Sequence, residues 1–162
     1  AERAARKPGS SKGRTGPMAS QVAVEVQPKQ RKRVAIIGGG WTGMQTSCTL
    51  RELGFEDVVV FDDHDDVGGT WHKDNTYAGL HIHGAMWHAE FADMPFSDDP
   101  AEKDKRQSAV AIREYMQRYL AAKDLTRLFR FNSRVSQIEY DSASRQAMLH
   151  IEGQEQAEGP FD

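Results

Sequence analysis

The sequence predicts an α/β fold in which a parallel sheet comes first and an antiparallel β-meander follows. Three observations carry this. Arg33-Val34-Ala35-Ile36-Ile37 is a short apolar run of the kind that a strand buried on both faces needs. Gly38-x-Gly40-x-x-Gly43 follows it without a spacer and opens a helix-like segment closed by Gly54. A second apolar run, Val58-Val59-Val60-Phe61, ends in Asp62, 24 residues after Gly38.

Together these form a dinucleotide-binding fingerprint. Gly38 allows a tight turn, Gly40 lets backbone approach a pyrophosphate, and Gly43 lets the helix pack closely on the strand. The helix N-terminus presents unpaired N–H groups and a positive dipole end to phosphates, and Thr42 sits in its first turn. Asp62, at the end of the second strand, is placed to accept from a ribose hydroxyl.

Composition narrows the classes. The formal net charge is −3, yet residues 1–33 carry nine Lys/Arg against Glu2 and Glu25, so a basic tail precedes an acidic body. Residues 1–32, rich in Gly, Ser, Pro and cations without hydrophobic periodicity, are expected to be a disordered tail. No aromatic residue interleaves these charges to stack bases, so nucleic acid is not an expected partner. Cys48 is the one cysteine, which excludes an internal disulfide and fits a reducing, cytoplasmic setting. No apolar run approaches the ~20 residues that span a bilayer. The chain begins without Met, has a possible start at Met18, and stops at Phe161-Asp162, so it reads as a fragment, incomplete at its C-terminus.

In order, the first helix presents Trp41, Met44 and Cys48 as a buried stripe, and Gly54 as its left-handed stop. Asp65 and Asp66 read as a solvated turn, lacking the spaced ligands of a calcium loop. Gly68-Gly69 leaves bare backbone for a ligand, beside Thr70, and Trp71 is placed to cover an aromatic ring. His81 and His83 would share a face if they lay on a strand. Together with His88 they have no Cys or carboxylate at metal-site spacing, so no metal is expected. Residues 97–107 read as an exposed loop. Ile112, Tyr115, Met116, Tyr119 and Leu120 form one apolar face of a helix over residues 108–122. Phe129 to Tyr140 alternates as a strand or strand pair, residues 141–144 form a turn, and Ala147–Ile151 is a further strand.

The series GGGWTG, VVVFD and VGGTW resembles the start of the flavin-containing monooxygenase superfamily, which includes Baeyer–Villiger and auxin-forming enzymes. The likeness continues through Tyr77-Ala78-Gly79-Leu80-His81-Ile82-His83 and Phe91-Ala92-Asp93-Met94-Pro95-Phe96, with Ser97 in place of a usual proline, and covers roughly residues 33–140. It implies a Rossmann-like FAD-binding domain over 33–162. FAD would be held by Gly38, Gly40, Thr42, Gly43, Asp62, Gly69, Thr70 and Trp71, with Val135 beside the adenine.

The resemblance further implies that FAD is reduced by NADPH, that O2 reacts with it, and that one oxygen atom passes to a small organic substrate. The NADPH site, a second GxGxxG, is not in this chain. His83 falls at a position near the flavin ring in relatives, where animal-type enzymes carry Asn and Baeyer–Villiger enzymes Asp. An imidazole there can donate a hydrogen bond that an ionised carboxylate cannot, which favours oxygenation at N or S over lactone formation. The alternatives are a Baeyer–Villiger enzyme and a truncated, non-catalytic FAD-binding or interaction fragment. A disulfide reductase would want a cysteine pair, and a simple NAD-dependent dehydrogenase would not explain Gly68–Trp71. The isolated chain is expected not to oxidise NADPH and to associate through an open sheet edge.

Overall fold

A computed structural model describes residues 30–162. The tail expected over residues 1–32 lies outside the described residues as far as residue 29. Residues 30–32 are not part of such a tail but open the first strand, β1 (Gln30–Ile37). β1 pairs in parallel with β2 (Phe55–Phe61), in register from Arg33↔Asp57 to Ile37↔Phe61. The helix α1 (Trp41–Glu52) makes the crossover, and Gly54 turns the chain at φ 87°.

Side chains alternate across a strand, so one run of apolar residues serves two cores. Val34, Ile36, Val58 and Val60 face the helices, while Ala35, Val59 and Phe61 face the opposite way. On α1, Met44 and Cys48 are buried, and Trp41 stacks on Phe91 with ring centroids 5.0 Å apart. A short helix α2 (Pro100–Lys103), capped by Asp99, precedes α3 (Ala109–Ala122). The Ser108 hydroxyl accepts from the Ala111 N–H at 3.2 Å and so starts α3. All five of its expected core residues are buried, each apolar one contributing about 1.5–3 kcal/mol over exposure. β3 (Phe129–Arg130) then pairs in parallel with β2, giving the order β1-β2-β3.

The opposite face of this sheet is covered by an antiparallel meander of β4 (Val135–Asp141), β5 (Gln146–Ile151) and β6 (Glu158–Phe161). Leu149, Ile151 and Phe161 pack on Phe61 there. The Glu158 carboxylate lies between Arg33, at 2.9 Å, and Arg130, and the Asp162 N–H donates to the Arg33 carbonyl at 2.9 Å. The result is three layers: helices, parallel sheet, meander.

Residues 76–96 form no strand. His81 makes only an isolated bridge with Ser108, so His81 and His83 do not share a strand face. This segment is tied instead by long-range backbone bonds, Ile82 N–H to Gln107 at 3.0 Å and Ala109 N–H to Leu80 at 2.9 Å. Among the described residues, no helix is long and apolar enough to cross a membrane.

Tyr115 locks that segment to α3. Its fully buried hydroxyl accepts from the Phe91 N–H at 2.7 Å and donates to the Met94 carbonyl. Tyr115→Phe removes both bonds and strands buried backbone groups, so it should cost about 1–3 kcal/mol in thermal or urea unfolding at neutral pH. Burial pushes the Tyr115 phenol from 10.0 up to about 12, and Tyr119 shifts in the same direction, first through burial and then through Cys48. The folded chain therefore keeps protons that the unfolded chain loses. Stability should be complete below about pH 10 and should fall as pH rises toward 12, with a shallower fall in Tyr115→Phe.

Candidate nucleotide-binding site

The turn between β1 and α1 is built by backbone proximity. Gly38 has φ 104°, and its N–H donates to the Phe61 carbonyl at 2.7 Å, which fixes the turn to the end of β2. A Cβ on Gly43 would lie 1.9 Å from the Gly38 carbonyl oxygen, so only glycine lets α1 start over that turn. Gly40 is the N-cap and brings no side chain to the first amides of α1. Those amides have no acceptor within the helix, since its first bond runs from Met44 N–H to Gly40.

They border a cleft of about 540 Å³ whose walls include Gly38, Gly40, Thr42, Gly43, Asp62, Gly69 and Thr70. Seven of the expected cofactor residues thus come together in one place. A smaller recess of about 240 Å³ shares Gly38 and Asp62 with it and is closed by Ser133, Arg134 and Val135. Val135 therefore stands on the Asp62 side, apart from the helix start.

Asp62 is buried, and its carboxylate already has protein partners. Oδ2 accepts from the Gly39 N–H at 2.5 Å, and Oδ1 accepts from the His64 N–H at 2.9 Å. Oδ1 also meets the His64 ring Nδ1 at 3.2 Å, but Oδ2 keeps a second lone pair, so fixing the group does not exhaust it as a ribose acceptor. The Gly39 contact was not read from the sequence, although the GGG run carries it. A Cβ at Gly39 would come within 3.1 Å of both Asp62 and the Phe129 ring.

In the loop after Asp62, Asp65 is exposed and Asp66 half-buried, as a solvated turn allows, and both are also tied to neighbours. Asp65 bonds to the fully buried His72 ring at 2.9 Å and to Lys73 at 2.5 Å. Those two hydrogen bonds, Lys73 first and His72 second, hold the Asp65 carboxyl below its ordinary value. Asp66 caps the Val67 N–H at 2.7 Å and meets Gln117 of α3. Gly68 has φ 150°, and a Cβ there would strike His72 N at 2.7 Å. Gly69 rests on Gly40, where an added Cβ would meet the Gly40 Cα at 3.0 Å.

Trp71 and His83 lie outside both recesses. Trp71 is half-buried against the helical core, with its carbonyl accepting from Arg113 at 3.3 Å, and His83 is exposed. Among the described residues, ligand-type groups converge at Cys48/Glu52/Asp93 and at Asp62/Asp63/His64. Neither group includes His81, His83 or His88, and Asp93 is already paired with Lys123 at 2.6 Å.

The NAD(P)-binding Rossmann-like domain family matches residues 36–96, from β1 through the loop described above. A "FAD-dependent monooxygenase DEP4" of Fusarium langsethiae is 27% identical over 128 residues, 78% of this chain and 22% of its own length. A "Baeyer-Villiger monooxygenase" of Streptomyces coelicolor is 30% identical over 121 residues, 75% of this chain and 22% of its own. Over about three quarters of its length the chain is thus similar in sequence to proteins named as FAD-dependent and Baeyer–Villiger monooxygenases. A solved structure, OTEMO in complex with FAD and NADP, superposes with a TM-score of 0.65 at 24% identity. It covers 79% of this chain and 24% of OTEMO, and shows that the three-layer fold is shared. The chain spans about a fifth of the length of the curated relatives it matches.

The two fingerprint glycines should separate in a stability assay. Gly43→Ala places a methyl inside the Gly38 carbonyl and should lower the melting temperature by many degrees or prevent folding. Gly40→Ala places its methyl 3.4 Å from the Gly69 Cα, an ordinary contact, and should leave circular dichroism and melting close to wild type.

Proposed function

We propose that this chain is the FAD-binding portion of an NADPH- and O2-dependent flavoprotein monooxygenase acting on a small organic substrate at nitrogen or sulfur. The observation that carries the reading is the convergence of unpaired α1 amides, bare Gly40 and Gly69 backbone and the Asp62 carboxylate on one cleft. FAD fits it on physical grounds: a pyrophosphate needs N–H donors at close backbone range, and a ribose needs an acceptor at the neighbouring strand end.

In this reading the amides of residues 41–43 and the Thr42 hydroxyl hold the pyrophosphate, and Asp62 accepts from the adenosine ribose. Gly69 and Thr70 line the route along the dinucleotide, and Val135 offers backbone groups at the adenine side. Bound FAD, reduced by NADPH, supplies the O2 chemistry that delivers one oxygen atom. What the chain contributes is binding, orientation and exclusion of water around the nucleotide. The nicotinamide-nucleotide site is not among the motifs of these 162 residues, so this chain alone should not consume NADPH at an enzymatic rate.

His83, exposed and outside the two recesses, is the residue we assign to the flavin-ring end as a hydrogen-bond donor. A Baeyer–Villiger reaction is the second reading, favoured by the 30% identical Streptomyces relative. The two differ at this residue: in the longer enzyme of which this chain is proposed to be a portion, where His83 serves heteroatom oxygenation, His83→Ala should raise hydrogen peroxide release per NADPH consumed, and His83→Asn should restore much of the coupling.

The direct test is flavin retention. The wild-type chain should bind FAD, read by flavin absorbance and fluorescence, whereas Gly40→Ala should fold and lose it, because its methyl sits on the cleft floor where backbone must approach phosphate. A folded Gly40→Ala chain with a full complement of FAD would contradict the placement of the pyrophosphate.

A further inference from the structure

His64 lines the nucleotide cleft and stands between the two parts of it that the fingerprint leaves unconnected. On one side its ring Nδ1 is 2.9 Å from Asp63 Oδ1 and 3.2 Å from Asp62 Oδ1. On the other, its Nε2 is 3.3 Å from the Asn75 side-chain nitrogen. That same Asn75 nitrogen donates to the Gly69 carbonyl at 2.8 Å.

The proton positions follow from what each partner is able to do. Carboxylates only accept, so Nδ1 must carry a proton to bond Asp62 and Asp63. The Asn75 NH2 only donates, with one hydrogen to Gly69, so Nε2 must be the bare acceptor of the other. Both ends therefore demand the same neutral Nδ1–H tautomer. The ring is held in that plane by His72, whose fully buried imidazole lies 4.1 Å away, centroid to centroid, and is itself bonded to Asp65 at 2.9 Å.

We propose that His64 and Asn75 form a positioning relay for the dinucleotide. The relay sets the Asp62 carboxylate that faces the ribose, and through Asn75 it holds the Gly69 carbonyl so that the Gly69–Thr70 turn stays against Gly40. This rests on the FAD reading above. The ribose end and the pyrophosphate end of the cleft are then one mechanical unit. Neither His64 nor Asn75 belongs to the glycine fingerprint, and each acts through Asp62 or Gly69.

Two measurements on the same chain test it. In the ligand-free protein, histidine 15N spectra at pH 7.5 should show His64 as the neutral Nδ1–H tautomer. An Nε2–H ring or a doubly protonated ring would overturn the relay. FAD titrations followed by flavin fluorescence should show His64→Ala and Asn75→Ala each weakening binding about five- to tenfold, the worth of one hydrogen bond. The double variant should be no weaker than the worse single one, because both remove the same link. His64→Asn keeps a donor toward Asp62, but its short amide has no atom at the Nε2 position to accept from Asn75, so it should bind like Asn75→Ala, and adding Asn75→Ala to it should change nothing more. Circular dichroism on each variant separates this from loss of fold. Wild-type binding with indifferent single variants, or losses that multiply in the double variant, would sink the relay alone. No FAD binding by a wild-type chain that shows the expected tautomer would sink the flavin reading and the relay with it.

Discussion

The structure depends on one close approach, that of the Gly43 Cα to the Gly38 carbonyl. A side chain at residue 43 would sit 1.9 Å from that oxygen, so the helix begins where it does only because nothing projects there. That position puts the unpaired amides of α1 beside the end of β2, to which Gly38 is bonded at 2.7 Å. The parallel register of β1 and β2 then brings Asp62 to the same spot as the glycine turn. The anion binding proposed for this place would follow from chain geometry, since the cleft wall includes His64 but no Lys or Arg.

Around that contact the rest of the molecule acts as support on two faces. The apolar alternation along β1 and β2 feeds a helical core on one side and the meander on the other, so neither strand has a solvated face to slip toward. Loop 62–75, which could have been the softest part of the cleft, is instead crossed by bonds among Asp62, His64, Asp65, His72, Lys73 and Asn75. A cleft whose wall is held in this way loses less conformational freedom when a nucleotide enters it.

Much of this was legible in the sequence, and the reasons are physical. The α1 and α3 stripes were readable because a helix repeats its buried face every few residues, and Met44, Cys48, Ile112, Tyr115, Met116, Tyr119 and Leu120 are all buried. The glycine turn and Asp62 were readable because their spacing is imposed by one strand, one turn and one helix. What escaped is held by contacts distant in sequence or by side-chain direction. The segment around His81 and His83 follows α3 through the Gln107 and Leu80 backbone bonds, which no local period encodes. Asp65 and Asp66 were readable as acids of a turn, but nothing in their spacing reveals their partners, the buried His72 and the exposed Gln117. Trp71 turned toward the helical core and away from the cleft, a choice of direction that composition does not carry. The start of β1 at Gln30 was hidden by its cationic lead-in, Arg31 and Lys32, which are exposed at the beginning of the strand.

The central claim is that backbone amides at the start of α1 are the anion site. It is tested most directly by titrating the 15N-labelled chain with ADP, which carries the adenosine and pyrophosphate but no flavin, and following amide shifts. The largest displacements should fall on Gly40, Trp41, Thr42 and Gly43, with a second set at Asp62 and the Ser133–Val135 recess. Saturable shifts that leave residues 40–43 unmoved, or no shifts at all at millimolar ADP, would contradict it.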